Sequence, residues 1–122
     1  MSYLTFNDLA EANKTRVKRW HPNGIEDWSP MEWACAAAGE MGEVCNAVKK
    51  LKRIEDKIAN LSASPDRQLS NKPEAILAIG DEIADTVISL DLLAQRLGID
   101  IASFVRAKFN QTSVRYGFPE KL

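Results

Sequence analysis

Apolar residues recur at intervals of three and four along four segments of this 122-residue chain, and nowhere do they alternate over the length of a strand. Such a pattern closes over a core only as helices packed on helices, so the expected fold class is all-α. Six glycines and five prolines are fewer than average usage would supply, which favours long helices over turn-rich sheet. The length suits one domain over residues 1–122 with one hydrophobic core.

The first segment runs from about Thr5 to Trp20, with Thr5 placed to cap it and Asp8 at the third helical position. Phe6, Leu9, Ala10, Val17 and Trp20 share a face. Asn13 interrupts that face, either as a buried hydrogen-bonded group or as a base contact. A loop follows, HPNGIEDW, holding the only histidine. The second helix has the clearest start in the chain: Ser29 caps, Pro30 takes the first helical position, and Glu32 completes a capping box. It continues to about Ile58. Residues 60–73 read as a polar connector, and are the segment expected to be disordered or variable. The third helix spans about Glu74 to Leu97 and stops at Gly98. Asp100 then caps a fourth, ended by Gly117 and Pro119. Four helices with short connections predict an antiparallel four-helix bundle, and no repeat at solenoid periods is present.

Several classes fall away. Sixteen basic against seventeen acidic side chains leave a net charge of −1, without the global positive field of a dedicated nucleic-acid binder. The start MSYLTFNDLA lacks the basic and apolar regions of a secretory signal, and no apolar run approaches the roughly 20 residues of a membrane span. Cys35 and Cys45 stand ten positions apart on one helix, about 15 Å along its axis, too far for a mutual disulfide. Two free thiols without a signal fit a reducing cytoplasm. With a single histidine and no C-x-x-C, a structural zinc site and a di-iron bundle built on two E-x-x-H motifs are both disfavoured. The absence of G-x-x-x-x-G-K-[ST] argues against P-loop chemistry.

The pattern breaks where charge enters the apolar stripes. On the second helix Trp33, Ala37, Val44, Ala47, Val48 and Leu51 form the stripe. Glu40 falls in its middle and Glu43 on its edge, three residues on. On the third helix Ile76, Ile83, Val87, Leu90, Ala94 and Leu97 are the expected core stripe, flanked by Glu82 and Asp85 at the same spacing. On the fourth, Lys108 centres the face of Ile101, Phe104, Val105 and Thr112, and Arg115 points the same way two turns later. Carboxylates turned toward a bundle interior need compensation. A hard divalent cation, Mg²⁺ or Mn²⁺, supplies it, as would a buried ion pair such as Glu40 with Lys108.

Gly39, Gly42 and Gly80 each cost about 1 kcal/mol against alanine inside a helix, so close helix packing or the approach of a phosphate or metal-bound water should need their space. The third helix is apolar on a second face too, through Leu77, Ala84, Ile88 and Leu92, which predicts an oligomer.

GEMGEVCNAVKKLKR followed by GDEIADTVISLDLLAQRLGIDI, with the tail KFNQTSVRYGFP, resembles the MazG-like nucleotide pyrophosphohydrolases of the all-α NTP pyrophosphatase superfamily, in its short single-domain form. The likeness covers about residues 28–118. It implies Mg²⁺-dependent hydrolysis of a nucleoside or deoxynucleoside triphosphate to the monophosphate and pyrophosphate, a reaction that would clear the nucleotide pool. It also implies a homodimer or homotetramer, with sites close to the subunit interface. Carried over by position, Glu40, Glu43, Glu82 and Asp85 would be metal ligands, with Glu40 or Glu43 orienting the attacking water or taking its proton. Lys108 and Arg115 would meet the phosphates, with Lys49 or Lys50 as an addition. Asn110, His21 and Trp28 would touch the sugar or base. Asn110 departs from this by facing away from Lys108 in simple helical periodicity.

A second class, a non-catalytic helical oligomer or a nucleotide-binding module of the same fold, would be marked by a missing ligand. All four acidic positions are filled.

Overall fold

The computed structural model of the chain describes residues 2–57 and 71–122. Among them are four α-helices, α1 (Phe6–Arg16), α2 (Pro30–Glu55), α3 (Lys72–Arg96) and α4 (Ile101–Tyr116), and two 3-10 helices, Val17–Arg19 and Gly24–Asp27; no strand occurs among the described residues. The all-α class follows. Most of the connector (60–70) and Ile58, the expected end of the second helix, lie outside the described residues.

The helix starts obey their caps. The Asp8 amide donates to Thr5 Oγ1 and the Thr5 amide to Asp8 Oδ2, each at 3.0 Å, a closed capping box. At α2 the Glu32 amide donates to Ser29 Oγ at 3.2 Å, and the hydroxyl in turn donates to Glu32 Oε1. α3 begins two residues earlier than expected. Asn71 Oδ1 accepts from the Glu74 amide at 2.9 Å, and Pro73 sits in the first turn, where no carbonyl awaits its missing N–H. α3 and α4 end alike, on Gly98 and Gly117 in left-handed conformation (φ 68° and 72°). The next amide in each case, Ile99 or Phe118, returns to Ala94 O or Ser113 O at 2.8 Å. The HPNGIEDW segment, expected as plain loop, contains the 3-10 helix Gly24–Asp27, and the first helix tightens to 3-10 over its last turn.

The chain divides into two compact units. One comprises the residues up to Trp33 together with Leu90–Leu122; the other is Ala34–Ser89. In the first, Val17, Trp33 and Leu92 are buried against Ile25, Trp28 and Leu93. Trp33 Nε1 donates to Ile25 O at 2.8 Å and Arg96 Nε to Trp28 O at 2.9 Å, so the core aromatics are tied to the backbone around them. Trp20, placed by periodicity on the apolar face of the first helix, is instead 66% exposed, with the Arg16 guanidinium over its ring. Asn13 is buried and donates through Nδ2 to Asp91 Oδ2 at 2.9 Å. The same oxygen accepts from Gln95 Nε2 at 2.8 Å, and Gln95 also reaches Ala10 O. Of its two readings, Asn13 takes the buried, hydrogen-bonded one.

The second unit consists, among the described residues, of α2 from Ala34 and α3 up to Ser89. Ala37, Val44 and Ala75 are its buried apolar residues. The expected core stripe of the third helix is corrected here. Ile76, Ile83 and Val87 remain 42–49% exposed, and in the first unit Leu90 and Leu97 are 45% and 52% exposed, leaving Ala94 alone of the six buried. The reason is supply: among the described residues of the second unit α3 has α2 as its one helical neighbour, and one neighbour covers one face. Cys35 and Cys45 are free and exposed on α2. No helix of the described residues is long and apolar enough to cross a membrane.

Candidate metal and phosphate site

Glu40 lies between Ala37 and Val44 on the buried side of α2, where the stripe of small apolar residues leaves its carboxylate half-buried. Glu82, on α3, is half-buried too, and Asp85 stands one turn further on. One carboxylate oxygen from each of Glu40, Glu82 and Asp85 falls within 4.8 Å of the others. Three carboxylate oxygens gathered this closely are hard donors that could share a divalent cation. Hard oxygen donors of high negative charge suit Mg²⁺ or Mn²⁺ and offer nothing to a soft metal.

The electrostatics are those of a group of like charges short of a counterion. The Glu82 carboxyl is held above the ordinary glutamate range, first by lost hydration, then by the charges of Asp85, Glu43, Glu40 and Asp81. A divalent cation would relieve both causes, and on this ground the donor set fits one.

Glu43 is not part of the closest trio. It lines, with Glu82, an adjoining cleft of about 300 Å³ between α2 and α3, whose walls include Asn46, Lys50 and Glu74 over Ala47, Ala75 and Ala78. Lys50, not Lys49, faces this cleft; Lys49 is exposed elsewhere on α2. Asn46 was missed by sequence reasoning, although positions 43, 46 and 50 follow one another at helical spacing and so had to share a side of α2. Gly39, Gly42 and Gly80 leave open space: a methyl group built on any of them would meet nothing within 4 Å. Among the described residues, close packing therefore does not account for them.

The remaining candidates belong to the first unit. Lys108 and Arg115 line a common hollow on α4 with Gln111 and Thr112, as their spacing required, and neither makes an ion pair among the described residues. Asn110 spends its carboxamide on the backbone of Leu122, accepting from its amide at 2.8 Å and donating to its carbonyl at 3.3 Å. His21 stands edge-on to Trp28 and Trp33, with ring centroids 4.8 and 5.4 Å away, and its Nδ1 lies 3.9 Å from Asp27 Oδ2. The Trp28 and Trp33 ring centroids are 4.7 Å apart with the rings tilted by 52°, so Trp28 packs against its own core. Asp91, which sequence reasoning passed over, is a buried carboxylate held by two amide donors and has a structural task. No protein-family model matches the chain, and a search of the curated proteins finds no relative for it.

Proposed function

We propose that the chain is a Mg²⁺-dependent nucleoside triphosphate pyrophosphohydrolase, converting an NTP or dNTP and water to the monophosphate and pyrophosphate. The observation that carries it is the convergence of Glu40, Glu82 and Asp85 within 4.8 Å beside a cleft walled by Glu43 and Lys50. Four carboxylates would repel a triphosphate by themselves; held around a divalent cation, they become the anchor for one.

A bound divalent cation would supply charge neutralisation for the phosphates and lower the pKa of a coordinated water. Glu40, Glu82 and Asp85 would hold it, with Glu43 adding a further carboxylate from the cleft wall. Glu43, or Glu40 in its place, orients the water for in-line attack or takes its proton. Lys50 is the cation of the cleft itself and meets the negative charge that grows on the departing pyrophosphate. Lys108 and Arg115, which the resemblance assigns to the phosphates, share one hollow on α4, with the Arg115 guanidinium over the Tyr116 ring. The protein works as a homodimer or homotetramer. What supports assembly is the apolar surface left open on α3, where Ile76, Ile83 and Val87 are each more than two-fifths exposed.

The test is a panel of NTPs and dNTPs with Mg²⁺, followed by pyrophosphate release. Glu40→Gln should lower turnover of the best substrate by a factor of ~100 or more, as expected for loss of a metal ligand. Equal rates for wild type and variant would remove the assignment. Nucleotide binding without pyrophosphate release by the wild type would replace the enzyme with a binding module.

A further inference from the structure

We infer that Asn46 and Lys50 together grip the β- and γ-phosphates of the substrate, with Asn46 as a specificity residue not assigned above. The assignment rests on the proposed pyrophosphohydrolase activity and adds to it a rule for the length of the phosphate chain. Asn46 meets the β-phosphate of any substrate, and Lys50 is met only by a triphosphate.

The cleft beside the carboxylates lies wholly within the second unit, between α2 and α3. Five polar side chains line it, Glu43, Asn46, Lys50, Glu74 and Glu82, and only Asn46 and Lys50 carry N–H groups. Neither donor is spent. Lys50 makes no ion pair among the described residues, although three carboxylates share its cleft, and Asn46 makes no side-chain hydrogen bond among them. A free carboxamide beside a free ammonium suits a ligand that brings several charged acceptor oxygens.

Order along the helix distributes the phosphates. Glu43, Asn46 and Lys50 follow one another by three and four residues, so the donors stand about 4.5 and 10 Å beyond Glu43 along α2. Glu82 belongs both to the carboxylate trio and to the cleft wall, so a phosphate chain anchored at the trio enters the cleft at its Glu43–Glu82 end. The β-phosphate comes first to Asn46 and the γ-phosphate next to Lys50. The following cleft residue on α2 is Ile54, and α3 adds only Glu74 among polar side chains there, so the row of donors ends with the third phosphate.

Hydrolysis of the α–β anhydride joins the water oxygen to the α-phosphorus, and the bridging oxygen leaves with the β-phosphorus. A triphosphate releases pyrophosphate, which keeps both donors. A diphosphate releases orthophosphate, which reaches Asn46 and leaves Lys50 unmet among carboxylates.

The test has two arms, both on the full chain. In calorimetric titration with Mg²⁺ present, the wild type should bind pyrophosphate about tenfold or more tightly than orthophosphate. Asn46→Ala and Lys50→Gln should each weaken pyrophosphate binding about tenfold, as expected for one hydrogen bond to a charged group, and Lys50→Arg should restore most of the loss. Alanine is the better helix former, so Asn46→Ala should melt no lower than wild type, which separates lost binding from lost folding. In kinetics on matched tri- and diphosphates, Lys50→Gln should lower kcat/KM for the triphosphate about tenfold more than for the diphosphate. Asn46→Ala should lower both by similar factors. Equal affinity for the two anions, full pyrophosphate affinity in either variant, or a substrate ratio unmoved by Lys50→Gln would overturn the inference even if triphosphates are hydrolysed. A wild type that hydrolyses no triphosphate yet shows these binding losses would remove the enzyme and leave the donor pair standing.

Discussion

At the scale of single residues, two carboxylates on α3 are set to different tasks by their surroundings. Asp91 is buried with two amide donors on one oxygen, and removing one of them should be costly. Asn13→Ala is expected to lower stability by about 1–3 kcal/mol, read from the urea midpoint at constant slope. Glu82 lies among like charges, and its carboxyl titrates above the value of 4.5 that a free glutamate shows. Since the folded state then holds this proton more tightly than the unfolded chain, the contribution of Glu82 to stability is complete below about pH 4.5. It is lost as the pH rises through the folded value. The melting temperature of the metal-free wild type, minus that of Glu82→Gln, should therefore fall with pH across that interval. Glu82 was recognisable in advance because a charge beside an apolar stripe is a visible anomaly at helical spacing. Asp91 was not, because its donors come from residues 78 positions away and 4 positions away, and no local pattern marks such a partnership.

At the scale of helices, beginnings and ends were written locally and could be read. A capping box at Thr5, a serine cap at Ser29 and paired glycine stops at 98 and 117 each involve a handful of consecutive residues. Ser29→Ala should cost α2 about 1 kcal/mol, seen as a drop in melting temperature. Which side of a helix ends up covered is another matter. Periodicity located the apolar sides of α3, but burial depends on what stands opposite, and in its unit α2 alone does. Trp20 illustrates the same limit: its place on the first helix's stripe says nothing about whether a neighbour reaches it. The open space above Gly42 gives an opposite expectation to the cap. Gly42→Ala should stabilise the isolated chain by about 1 kcal/mol through helix propensity, since the added methyl meets nothing within 4 Å. If its turnover of the best triphosphate nonetheless falls, the space serves the substrate.

At the scale of the whole molecule, ion binding and stability are linked. An ion that binds only the folded state adds RT ln(1 + [L]/Kd), about 2.7 kcal/mol at a hundred times its dissociation constant. Mg²⁺ is accordingly expected to raise the melting temperature of the wild type and to leave Asp85→Asn nearly unchanged in a calorimetric scan; an equal rise in both would place the ion elsewhere. The all-α class was legible from periodicity alone, whereas the division into two units was not, because it depends on contacts between residues far apart in the chain. The two free sulfhydryls on α2 carry a practical consequence. Cys45 lies two positions beyond Glu43 and is open to reagents, as is Cys35. A maleimide dye can thus be attached to the native chain without engineering a handle, giving α2 an optical label.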